Sequence, residues 1–137
     1  MNYIIESIFV GIYSVILYLF FSRFITSSYK NFYFLLIIVG FSKHLLGSLL
    51  NIHTIYCNNG EACVKTLNLD TTYIASKTNL LCDSVFEAFA YLCLGFILQN
   101  IVKNIYLFFT IGFILHLLSE IFLIHTYFCK TYCEPVY

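Results

Sequence analysis

Four stretches of about 20 mostly apolar residues, at roughly 2–20, 32–52, 82–101 and 105–124, constrain this chain more than anything else in it. At about 1.5 Å of rise per residue, each makes a helix of about 30 Å, the thickness of a bilayer's hydrocarbon core. Composition excludes the soluble alternative: of 137 residues 61% are hydrophobic and 10% charged, more apolar surface than a soluble domain of this size can enclose. The expected fold class is an all-α membrane protein with four transmembrane helices. One Pro and six Gly leave no room for a flexible linker, so residues 1–137 are expected to form one domain. Segment 2–20 carries Glu6 and lacks both a basic n-region and a clear small-residue cleavage site, so it is expected to remain as a span.

Seven Lys plus Arg balance seven Asp plus Glu. No basic excess is available to neutralise phosphates, which excludes nucleic acid as an expected partner and leaves the lipid bilayer, a second copy or another membrane protein. The first and third connections hold Arg23, Lys30 and Lys103 with no acid, whereas the long connection from 53 to 79 mixes Glu61, Lys65, Asp70 and Lys77. The positive-inside rule therefore places both termini and the 53–79 loop on the extracytoplasmic or lumenal side. Cys57, Cys63, Cys129 and Cys133 all fall on that side, where disulfides persist. Zinc is the other chemistry for such a group, but C-x5-C and C-x3-C do not match the usual zinc-knuckle spacings. Disulfides are expected, by local closure through Cys57–Cys63 or by a loop-to-tail link such as Cys57–Cys129.

Residues 40–57, GFSKHLLGSLLNIHTIYC, and 112–129, GFILHLLSEIFLIHTYFC, are identical at nine of 18 positions. The offset is a constant 72, and it matches His44 with His116, His53 with His125 and Cys57 with Cys129. A tandem duplicated helical hairpin is expected, with repeat one at about 2–57 and repeat two at about 82–129. Each unit contains two spans, so the copies share one orientation and are related by a pseudo-two-fold axis along the membrane normal.

Ionisable groups inside spans are costly and are candidate functional groups for that reason. Glu6, Lys43, His44, Glu87, His116 and Glu120 all lie in the outer half of the expected spans. His44 and His116 fall at the same depth, about 12 Å from the outer end. That suits two readings: a zinc or other divalent-metal site built from His44, His116, Glu87 and Glu120, or a haem held between His44 and His116. The plainer reading is an internal network of ion pairs and hydrogen bonds joining helices, with Lys43 neutralising a Glu. If helices two and four run straight past their ends, His53 with Cys57 and His125 with Cys129 and Cys133 line separate faces. His44 and His53, nine residues apart, would then point in opposite directions around the helix.

The chain has no C-x-x-C of membrane thiol oxidoreductases, no Walker loop, no G-x-S-x-G and no H-E-x-x-H. The expected function is a multi-pass membrane protein of structural or interaction type with a disulfide-stabilised extracytoplasmic cap. Its rivals are a metal- or haem-binding membrane protein, with oxidoreductase activity as an option, and an oligomeric channel or transporter.

Overall fold

The computed structural model describes residues 2–25, 29–68, 70–103 and 105–136, with the side chains of Tyr29 and Lys30 outside that description. In chain order the elements are α1 (Tyr3–Ser22), α2 (Tyr29–Leu49), α3 (Ile52–Asn59), α4 (Glu61–Thr66), β1 (Tyr73–Ala75), α5 (Leu80–Leu98), α6 (Ile105–Ile121), α7 (Ile124–Tyr132) and β2 (Cys133–Pro135). Helices α1, α2 and α5 are long and apolar enough to cross a membrane. The 17 residues of α6 reach about 26 Å, and α6 joins the other three only when counted together with α7, from which it is bent by 76°.

The long helices are built inside out relative to a soluble protein. Asn2 caps α1 by accepting a hydrogen bond from Ile4 N at 2.8 Å. The helix then buries Glu6, Ser7, Gly11, Ser14 and Leu17 and turns Ile4, Ile8, Phe9, Ile12 and Ile16 outward. In α5, Ser84, Ala88, Tyr91 and Gly95 are buried while Val85, Phe86, Phe89 and Phe96 are exposed. Such an apolar outer face is compatible with a hydrocarbon surround, and the small inner residues let backbones approach closely. The inner hydroxyls are satisfied locally: Ser7, Ser14 and Ser84 each donate to the carbonyl four residues back.

The two most extensive helix pairings cross the chain, α1 on α6 and α2 on α5. Between them sits a core of Leu17, Leu35, Leu36, Val39, Tyr91, Leu107, Phe108 and Ile111. Gly40 and Gly112 sit at these two pairings. A Cβ on Gly40 would lie 2.8 Å from Glu87 O and 2.9 Å from Ala88 Cα of α5. One on Gly112 would lie 2.9 Å from Val10 O and 3.2 Å from Gly11 Cα of α1.

Helices two and four do not run straight past their ends. Each breaks at a residue with positive φ, Asn51 at 61° and Leu123 at 62°. These breaks are 72 positions apart. Asn tolerates the left-handed region, whereas Leu adopts it only where surrounding packing imposes it. The long connection is correspondingly not a loop: it folds as α3, α4 and β1. β1 pairs antiparallel with β2, with Tyr73 opposite Pro135 and Ala75 opposite Cys133, so the all-α expectation misses a small two-stranded sheet. The Asn58 side chain clamps β1 to α3, donating to Tyr73 O at 2.8 Å and accepting from Tyr73 N at 2.9 Å. Around them Cys57, Ala62, Cys63, Cys129 and Cys133 form a second buried cluster, against which Tyr56, Leu67 and Phe128 pack.

Candidate functional site

The polar residues expected inside the spans gather into pairs, with one pair at each cross-chain helix pairing. At the α2–α5 pairing, His44 Nδ1 lies 3.0 Å from Glu87 Oε2, and the other Glu87 oxygen accepts from the Lys43 ammonium. Lys43 Nζ also lies 5.7 Å from the centroid of the Tyr91 ring, whose hydroxyl bonds Ser14 of α1. Tyr13 Oη donates to Lys43 O at 3.2 Å. At the α1–α6 pairing, His116 Nε2 lies 3.1 Å from Glu6 Oε1. The second Glu6 oxygen accepts from Glu61 N at 2.7 Å and ties the membrane helix to the base of α4. Glu61 in turn accepts from Tyr3 N and pairs with Lys65 at 2.9 Å, which holds its carboxyl below the usual range.

Of the four residues expected to share a metal, His44 and Glu87 meet each other. His116 pairs with Glu6, and Glu120 pairs with His125, Oε2 to Nδ1 at 3.1 Å. Glu6 is the participant missing from the expected set. Its signal was the short match between α1 and α5: Asn2, Glu6 and Ser7 correspond to Asn79, Asp83 and Ser84 at an offset of 77. That offset also relates the contacts of the two glycines. Gly40 faces Glu87, Ala88 and Tyr91, and Gly112 faces Val10, Gly11 and Ser14.

The separation of His44 from His53 is corrected by the break at Asn51. Folding α3 back brings the two rings to 4.8 Å between centroids, and the break at Leu123 brings His116 and His125 to 4.3 Å. Burial, with His44 close by, pushes His53 down to about 4. The cap then links the couples. Tyr56 of α3 meets His125 at 5.3 Å between centroids and His116 edge-on at 6.1 Å, Phe128 of α7 meets His53 edge-on at 5.7 Å, and Tyr56 and Phe128 meet at 6.0 Å. Tyr56 and Phe128 are themselves 72 positions apart.

The couples differ in charge. Glu87 has the ammonium of Lys43, but the position 72 residues after Lys43 is Leu115. On the other side, among the described residues, Glu61 pairs with Lys65, a 66% exposed side chain, while Glu6 and Glu120 pair with His116 and His125.

In the cap, all four cysteines expected in disulfides are bonded, as Cys57–Cys133 and Cys63–Cys129; both are loop-to-tail links, with other partners than the Cys57–Cys63 and Cys57–Cys129 links named above. Packing of α4 on α7 sets Cys63 against Cys129, while the β1–β2 register carries Cys133 back to the end of α3 and Cys57. Cys82 and Cys93 are free and exposed. No protein-family model, curated protein or solved structure matches this chain.

Proposed function

We propose that this chain is a multi-pass membrane protein of structural or interaction type: a tandem duplicated hairpin of four spans, carrying a disulfide-closed cap on the extracytoplasmic side. The observation that carries this reading is the pairing of buried ionisable groups with one another across helices. Lys43 and His44 serve Glu87, and His116, 9% exposed, serves Glu6, 5% exposed. Such pairs hold helices together because the alternative, an unpaired polar group in hydrocarbon, costs several kcal/mol on the order of small-molecule transfer estimates. Support for the duplication comes from the helix breaks at Asn51 and Leu123 and from the matched surroundings of Gly40 and Gly112. The apolar faces of α1 and α5 fit the lipid bilayer, a second copy or another membrane protein.

The excess of carboxylate over ammonium around Glu6, Glu61 and Glu120 favours the rival reading, a cation or haem held with the help of His44, His116, Glu87 or Glu120. Metal analysis and an absorption spectrum of the purified protein separate the two. On the structural reading His44→Ala and His116→Ala each lower stability in detergent by about 1–3 kcal/mol, with no bound ion and no Soret band to lose. A stoichiometric metal or haem that either substitution removes would overturn it. Ion flux across liposomes that depends on the protein would instead support an oligomeric channel or transporter.

A further inference from the structure

The two disulfides of the cap lie against each other. Cys63 Sγ is 3.9 Å from Cys133 Sγ, across the two bonds rather than along either. The sulfurs of Cys63, Cys129 and Cys133 all lie within 4.8 Å of one another, and Cys57 Sγ is bonded to that of Cys133. All four cysteines are buried, with exposures of 7% or less.

A zinc ion bound by four thiolates at about 2.3 Å holds them at the corners of a tetrahedron with edges of about 3.8 Å. One edge, Cys63 to Cys133, already has that length. The bonded pairs have Cα atoms 5.7 and 5.2 Å apart, and two Sγ atoms on such a frame can sit bonded or, after side-chain rotation, about 3.8 Å apart. A small cavity of about 30 Å³ borders Cys57 and Cys63, between Asn58, Leu67, Thr71 and Tyr73.

We propose that, once reduced, Cys57, Cys63, Cys129 and Cys133 bind one zinc ion as a tetrahedral thiolate site, so that the cap exists in a two-disulfide form and a one-zinc form. Reduction of the two disulfides takes four electrons and four protons, supplied by two molecules of a dithiol that leave as disulfides. Zinc then displaces the four thiol protons. An oxidising compartment keeps the disulfide form until a dithiol reduces it, and the knuckle spacings argue against zinc only for a site made of two short hairpins. Here one ligand each comes from α3, α4, α7 and the first residue of β2, so no local spacing is required. The inference does not depend on what the intramembrane couples do.

Full-length protein in detergent, reduced anaerobically with a phosphine and titrated with Co2+, tests it. The expected result is one Co2+ per chain, with a thiolate charge-transfer band and the intense visible bands of a tetrahedral ion, displaced one for one by Zn2+. Zinc should also shield four thiols from alkylation, and unreduced protein should bind no ion in this way. Cys63→Ser should abolish the tetrahedral spectrum, while Cys82→Ser, Cys93→Ser and His116→Ala should keep it. Reduced wild type that binds no Co2+, whether it stays helical or loses its helix content, overturns the proposal. So does a tetrahedral spectrum that survives Cys63→Ser.

Discussion

At the scale of single residues, the polar groups of this protein are explained by what lies beside them. Glu87 is tolerable between two helices because Lys43 and His44 both reach it, and Glu6 because His116 and the Glu61 amide do. His53, on α3 beyond the end of the second span, is the residue whose titration can be read in solution. Its folded-state pKa, about 4, lies below the ordinary histidine value of 6.5, so the unfolded chain binds more protons between those two values. The His53 contribution should be constant above about pH 6.5 and decline as pH falls toward 4, by up to about 3 kcal/mol. Thermal melts in detergent across that range check this, and His53→Phe should flatten the part of the decline that His53 causes. The groups around it are His44, Lys43 and Glu87, which the substitution leaves in place. A wild-type curve that the substitution leaves unchanged assigns the pH dependence elsewhere.

Among the elements, the helix pairings rest on two glycines in equivalent surroundings. Gly40→Val and Gly112→Val each drive a side chain into the backbone of the facing helix, at α5 and α1 respectively. Overpacking of this kind costs about 1–3 kcal/mol, and similar losses at both sites are expected if the two pairings are copies of one interface. Ile16→Val, on the exposed face of α1, should leave melting unchanged. A tolerated Gly112→Val would mean that α1 and α6 do not pack this closely. Three long apolar helices and the bonded cysteines were legible in the sequence, because apolar length and cysteine placement survive without knowledge of packing. The breaks at Asn51 and Leu123 were not, since neither carries a Gly or Pro and a run of apolar residues continues through the second of them. Missing those breaks is what sent His53 and His125 to the wrong side of their helices. Which carboxylate each histidine meets was also hidden. Glu120 shares a helix face with His116 at a spacing of four, but the bend brings His125 to Glu120 and leaves His116 facing α1.

For the whole molecule, the proposed arrangement of four spans, with both termini and the cap on one side, accounts for several features at once. It puts Arg23, Lys30 and Lys103 together on the cytoplasmic side and all four bonded cysteines on the oxidising one. It also lets the cap reach both histidine couples from above, through Tyr56 and Phe128. Its weakest element is α6, whose 17 residues are close to the lower limit for a span, and three crossings would send the C-terminus to the other face. The deciding measurement is protection of reporter tags in sealed vesicles, with one tag at each terminus and one beside Lys103. The account predicts that both terminal tags lie on the extracytoplasmic side and the Lys103 tag on the cytoplasmic side. A C-terminal tag on the same side as Lys103 would contradict it.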